Sequence, residues 1–76
     1  MRVLVVEDDV PLAEVLRRGL TEDGYATDIV GKLGDAQHAV TVNDYDLIVL
    51  DRGLPDGDGR QLCADLRATG DGTPVL

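Results

Sequence analysis

Three acidic residues draw attention by where they fall. The run Val3-Leu4-Val5-Val6 stops at Glu7 and Asp8, and the run Leu47-Ile48-Val49-Leu50 stops at Asp51. Continuous rather than alternating apolar runs of this length fit strands covered on both faces, as in a parallel sheet. Ligands of open parallel sheets bind outside the carboxyl ends of the strands. If the two runs are neighbours, three carboxylates meet at one edge, where like charges repel and raise a pKa. A hard cation removes that penalty. Mg²⁺ prefers oxygen donors and keeps several waters, so one or two carboxylates and a carbonyl suffice. Asp51 then becomes a reasonable nucleophile toward phosphorus, forming an acyl phosphate while the metal neutralises the developing charge. A single strand-end Asp is usually a solvated terminus. The coincidence of acids at the same end of two such runs is what points to a site.

The intervening residues supply the elements that would bring these acids together. Asp9 is placed to cap a helix, with Pro11 in its first turn, where a missing N–H does little harm. Leu12, Val15, Leu16, Gly19 and Leu20 follow helical spacing, and Leu12, Val15, Leu16 and Leu20 are expected to face the core. Gly24 supplies a stop after Thr21-Glu22-Asp23. Residues 26–30 read as a strand and 33–42 as a weaker helix whose inner face is Ala36, Ala39 and Val40. Residues 43–46 read as a loop. Residues 52–59 are dense in turn formers, and their glycines leave a backbone carbonyl free to face a metal. Leu62, Cys63 and Leu66 mark a third helix over 60–68, and 74–76 begin a fourth strand. Strands alternating with helices imply right-handed parallel crossovers in an α/β sheet.

Four segments now agree with one family. Residues 3–9 (Val-Leu-Val-Val-Glu-Asp-Asp), 45–51 (Tyr-Asp-Leu-Ile-Val-Leu-Asp), 54–59 (Leu-Pro-Asp-Gly-Asp-Gly) and 73–76 (Thr-Pro-Val-Leu) resemble, in order and spacing, the receiver domain of bacterial two-component response regulators. The resemblance implies a flavodoxin-like doubly wound parallel sheet with strand order 2-1-3-4, and it makes residues 1–76 the N-terminal part of a single receiver domain. It implies that Asp51 is the phosphoacceptor for a sensor histidine kinase. Asp8 would contact Mg²⁺ directly, Glu7 through water, and Gly53 through its backbone carbonyl, with Pro55 and Gly59 shaping the pocket. The style of the sequence is most similar to receivers joined to a winged-helix DNA-binding domain, hence a transcriptional output.

The resemblance also marks what these residues lack. The family pattern goes on to a Ser or Thr past the fourth strand, a Lys ending a fifth strand, and two further helices. Thr73 precedes the fourth strand, and Lys32, the only lysine, lies between the second strand and helix, so neither is the phosphate-contacting group. With fewer helices over the sheet, apolar surface is expected on the first and third strands and an open edge on the fourth. These residues are therefore not expected to persist as a well-ordered monomer: either they self-associate, as a homo-oligomer or domain-swapped dimer, or they are the ordered or retained part of a longer protein.

Other readings are weaker. In Asp56-Gly57-Asp58-Gly59, a calcium loop counted from Asp56 meets Arg60 at the fifth position and Arg67 at the twelfth, where oxygen ligands are required. His38 has no companion ligand and reads as a structural or solvent-facing residue. Cys63 reads as a small core residue. Arg52 follows the nucleophile directly and reads as solvated rather than as a pocket residue. The exposed neighbours of the first helix's core residues are modest candidates for kinase docking.

Composition sets the outer bounds. The 76 residues suit one domain, 43% of them are apolar, and two Tyr are the only aromatics, so Val, Leu, Ile and Ala are expected to build the core. The net charge of −8 disfavours direct contact with nucleic acid or an anionic membrane surface. One cysteine excludes an internal disulfide, and with no signal peptide or spanning segment a cytoplasmic setting is the simplest expectation. The leading function is a phosphoacceptor signalling module, not an ordinary turnover enzyme. The alternative is a phosphorylation-incompetent interaction module that dimerises or occupies a kinase. A haloacid-dehalogenase-type hydrolase would place an Asp two residues past the nucleophile, where Gly53 stands.

Overall fold

The computed structural model describes residues 1–51 and 53–76; the sequence reading of Arg52 lies outside them. In chain order the elements are β1 (Arg2–Val6), α1 (Val10–Glu22), β2 (Ala26–Val30), α2 (Leu33–Val42), β3 (Leu47–Leu50), β4 (Gly53–Leu54), β5 (Gly57–Asp58) and α3 (Arg60–Ala68). The main sheet is parallel, with order β2-β1-β3. The pairings Val6↔Val30 and Val6↔Leu50 set the register. Val75 bridges Ile48 in parallel on the far side of β3, and Leu50 N donates to Leu76 O at 2.9 Å. The expected order 2-1-3-4 is therefore present, the fourth member being the short stretch at 74–76.

Local chemistry explains the boundaries of α1. Asp9 accepts a hydrogen bond from Leu12 N at 3.1 Å, and Pro11 sits in the first turn. At the other end Gly24 has φ +90°, and the N–H groups of Gly24 and Tyr25 close onto Thr21 O and Leu20 O. This paired closure satisfies carbonyls that the helix leaves open, and it needs the left-handed conformation glycine tolerates. By contrast α2 starts at Lys32, whose side chain makes no cap.

β1 is buried along its apolar length, because it is paired on both edges and covered on both faces. Leu4, Val6 and Ile48 join Leu33, Ala36, Leu62 and Leu66 in one cluster under α2 and α3, while Val3 and Val5 take the opposite face, toward α1. The expectation of exposed apolar surface on the first strand is thus wrong. It holds in part for β3, whose Leu47 and Val49, beside Val3 and Val5 in register, are half-buried.

Two core assignments also change. Leu12 is 45% and Val15 67% exposed, Leu16 and Leu20 are half-buried, and Ala13 is the residue of α1 that is buried. The helix approaches the sheet closely through its smallest apolar residue, and among the described residues nothing packs on its outer apolar flank. Tyr45 lies in the expected loop, yet it is 9% exposed and belongs to the core. Its ring is buried while its hydroxyl donates to Asp28 Oδ2 at 2.7 Å, the usual compromise for a buried tyrosine.

The turn-rich segment after Asp51 is more ordered than its composition implies. Gly53 pairs with Asp58 and Leu54 with Gly57 in a minimal antiparallel hairpin around Pro55 and Asp56. Buried Leu54 anchors it to the main cluster, and that contact is invisible to turn propensities.

Candidate functional site

The ends of β1 and β3 bring Glu7, Asp8 and Asp51 together, with one carboxylate oxygen of each lying within 4.8 Å of the others. They converge because Val6, the last residue of β1, pairs with Leu50, the last residue of β3. The next residue of each strand therefore leaves the sheet at the same level. Glu7 and Asp51 are half-buried and Asp8 is exposed. Among the described residues this is the one such group of metal-ligand side chains, and none of the three acids makes an ion pair.

The backbone orients two of the three. Glu7 Oε1 accepts from Asp9 N at 3.1 Å, and Asp51 Oδ1 accepts from Gly53 N at 3.1 Å. In each case one oxygen is tied down locally and the other is left for the shared space. The Glu7 carboxyl is held above the ordinary carboxylate value, first by partial burial, then by the charge of Asp51 and its hydrogen bond, and less by Asp8, while the Asp9 N–H opposes the rise. An oxygen-only donor set of three converging carboxylates fits a small hard cation.

Gly53 lies beside this group, as its N–H bond to Asp51 shows. Gly59 is buried under Asp51: a β-carbon there would fall 2.7 Å from Asp51 O and 3.0 Å from Leu50. No side chain larger than hydrogen is compatible with that approach, so Gly59 holds the loop against the strand end. The other named residues go elsewhere. Thr73 Oγ1 donates to Asp71 Oδ1 at 2.5 Å and to Tyr45 O at 3.4 Å, at the opposite end of β3. His38 is exposed and Cys63 half-buried on α3. Asp58 binds the Arg60 side chain, and Asp56 binds the start of α2, so the two acids of the rejected calcium loop face different partners.

That role of Asp56 was missed in the sequence. The usable signal was indirect: a helix beginning Lys-Leu-Gly-Asp has no Ser, Thr, Asp or Asn at its cap position, so another segment must supply the acceptor.

Two cavities have none of the three acids in their lining. One of about 340 Å³ runs between α2 and α3, lined by Val40, Leu62 and Leu66 among others, and one of about 350 Å³ lies beside Leu50, Cys63 and Val75. The acids sit on an open edge instead, which suits a small ion and a group delivered from outside.

Comparison with known proteins agrees with this geometry. The family model of the response regulator receiver domain matches residues 3–76. The chain is 41% identical over all 76 residues to the probable transcriptional regulatory protein SilR of Salmonella typhimurium, of which it covers 33%. It is 46% identical to the transcriptional regulatory protein TcrA of Mycobacterium tuberculosis, of which it covers 30%. The chain thus spans about a third of the length of these relatives.

Among solved structures, the receiver domain of the Francisella response regulator 1452 superposes with a TM-score of 0.91 at 34% identity, over 97% of this chain and 61% of that one. TrrA of Thermotoga maritima, solved in complex with Mg²⁺-BeF, gives a TM-score of 0.91 at 28% identity, over 97% and 64%. TrrA bound to the histidine kinase ThkA gives 0.89 at the same identity and coverage. With strand order, acid placement and family match in agreement, the chain belongs to the response regulator receiver domain family.

Proposed function

We propose that this chain is the phosphoacceptor part of a two-component system, in which Asp51 takes a phosphoryl group from a histidine of a sensor kinase and the protein passes that event to a transcriptional output. The observation that carries the proposal is the meeting of Glu7, Asp8 and Asp51 within 4.8 Å at the ends of two adjacent strands. The relatives named as transcriptional regulators support the output, and the kinase complex of TrrA supports the donor.

Asp51 is the nucleophile by position. It is half-buried at the strand end, its Oδ1 is fixed by Gly53 N–H, and its other oxygen remains for attack. That oxygen bonds to phosphorus while the phosphorus–nitrogen bond of the phosphohistidine breaks, and the electron pair leaves on the imidazole. An acyl phosphate remains on Asp51. Asp8, Asp51 and the Gly53 carbonyl would hold Mg²⁺, with Glu7 acting through water. The bound cation would offset the charge that gathers on the phosphoryl oxygens. The phosphoryl group stays on the protein, so the module is a signalling acceptor and not a turnover enzyme. The net charge of −8 keeps nucleic-acid contact away from this segment, and no helix among the described residues is long and apolar enough to cross a membrane.

The test is incubation with a small phosphodonor and Mg²⁺, read by intact mass. A single phosphoryl adduct is expected, absent without Mg²⁺ and absent in Asp51→Asn. Wild-type protein that binds Mg²⁺ but never gains the adduct would overturn the proposal in favour of a purely interacting module.

A further inference from the structure

The segment that runs from the end of β2 through Gly31 into the first turn of α2 touches both halves of the acid site. On one side a β-carbon added to Gly31 would lie 3.8 Å from Asp8 Cα and from Glu7 O, and Glu7 N donates to Val30 O at 3.0 Å. This segment therefore lies against the acid pair that ends β1. On the other side Leu33 N and Gly34 N donate to the two carboxylate oxygens of Asp56, at 2.6 and 2.9 Å. Asp56 sits at the tip of the β4–β5 hairpin, whose other end holds Asp51 through Gly53 N–H and the close approach of Gly59. The hairpin and the helix are also in tight van der Waals contact, since a β-carbon on Gly57 would fall 2.7 Å from Leu33 Cδ2.

These contacts close a ring: Glu7 and Asp8, the start of α2, Asp56, the hairpin, and Asp51. Asp56 is its polar joint. It replaces the cap that Lys32 does not provide, and it does so from the segment that carries Gly53. The backbone N–H groups of Gly34 and Leu33 hold the Asp56 carboxyl below its ordinary value, with a smaller contribution from the Lys32 charge. At neutral pH it is thus the charged acceptor that a helix start favours.

We propose that Asp56 is a positioning residue for the cation site: by clamping the hairpin to the first turn of α2, it fixes the spacing between the β1 acids and the Asp51–Gly53 side. The inference rests on the acid-site reading above. It differs from simple helix capping in what it moves. A cap alone contributes stability. A positioning joint also sets cation affinity, and by reciprocity bound cation tightens the joint.

The experiment is a calorimetric Mg²⁺ titration of the protein at its natural length, with Asp56→Ala, Asp56→Asn and Leu66→Ala, a core truncation under α3 away from the acids. Asp56→Ala is expected to weaken Mg²⁺ by about 3- to 10-fold, equivalent to about 0.6–1.4 kcal/mol. Asp56→Asn, keeping one acceptor oxygen, is expected to fall between. Leu66→Ala should lower the melting temperature and leave Mg²⁺ affinity in place.

Equal affinity in wild type and Asp56→Ala, or an equal loss in Leu66→Ala, overturns the positioning role and leaves the acid site standing. A wild-type protein that takes no Mg²⁺ overturns the acid-site reading and the joint with it. If Asp56→Ala does not fold, amide exchange in the wild type decides. Mg²⁺ is expected to slow exchange at Leu33 and Gly34 several-fold, and unchanged rates there overturn the proposal.

Discussion

The two ends of the sheet are both supplied with carboxylates, and among the described residues only one end pairs them with a cationic side chain. Toward the amino ends of the strands, Arg2 pairs with Asp28 at 2.8 Å, its backbone N–H donates to Asp46 at 2.7 Å, and its guanidinium lies 5.7 Å over the Tyr45 ring. Tyr45 completes the group by donating to Asp28. At the carboxyl ends, Glu7, Asp8 and Asp51 converge with no cationic side chain among the described residues to answer them. Acidic residues by themselves therefore say little. An acid that the fold has paired is part of the architecture, whereas acids that converge at a strand end with no cation among the described residues suit something that arrives.

The largest expected departure between the ends is the response to Mg²⁺. At a concentration near 100 times its Kd, Mg²⁺ should stabilise the protein by about 2.7 kcal/mol, a rise of several degrees in melting temperature for a domain of this size. Asp8→Asn should remove most of that gain while raising the melting temperature without Mg²⁺, because it relieves repulsion. If Asp8→Asn melted lower without Mg²⁺ and kept the Mg²⁺ gain, the contrast between the ends would be lost.

A smaller effect is expected at the paired end. Arg2→Ala should cost about 1 kcal/mol or less, since the ion pair is well exposed to water and such pairs contribute little. Part of the loss would come from a buried Tyr45 left with a less ordered acceptor. Mg²⁺ affinity should not change. Denaturant unfolding beside a Mg²⁺ titration checks both statements, and a weakened cation site in Arg2→Ala would show that the ends are coupled.

The subtlest contrast is in pH dependence. Glu7 is raised above its ordinary 4.5 by burial and its acidic neighbours, and Tyr45 above 10.0 by burial and Asp28. Both groups bind their proton more tightly when folded. Each therefore favours the native state below its ordinary value and loses that contribution as pH rises through the folded one. The windows differ: the Glu7 contribution fades above pH 4.5, that of Tyr45 above pH 10. Glu7→Gln should flatten the acid window, and Mg²⁺ should abolish or invert it. Melting temperature against pH, with chelator and with Mg²⁺, makes the measurement; an acid window identical in Glu7→Gln assigns it to another group.

Much of this arrangement was legible in the sequence, and the exceptions have a common cause. The strand ends at Glu7 and Asp51 were readable because four consecutive apolar residues leave few alternatives, and Asp9, Pro11 and Gly24 mark the bounds of α1 by chemistry local to the chain. Leu12 and Val15 were misplaced because helical spacing identifies an apolar stripe but not which part of it meets the sheet, and close packing at Ala13 turned the rest outward. Tyr45 and the β4–β5 hairpin were missed because each is fixed by a distant partner, Asp28 for one and the core around Leu54 for the other. The same holds for Asp56, whose partners lie 22 and 23 residues away. At the site itself the acids and their convergence were expected, while the backbone N–H groups that orient two of them depend on turns no periodicity encodes.

The burial of Tyr45 has an experimental consequence of its own. The chain has no Trp and two Tyr, so its ultraviolet emission comes from Tyr25 and Tyr45 alone. Tyr45 sits before β3 and Asp51 after it, a separation of roughly 20 Å at about 3.3 Å per residue. Its hydroxyl is engaged by a carboxylate that belongs to the opposite end. The intrinsic optical signal of this protein is thus a gauge of folding that is insulated from the acid cluster. A flat tyrosine signal during a cation titration is what a correctly working site should produce.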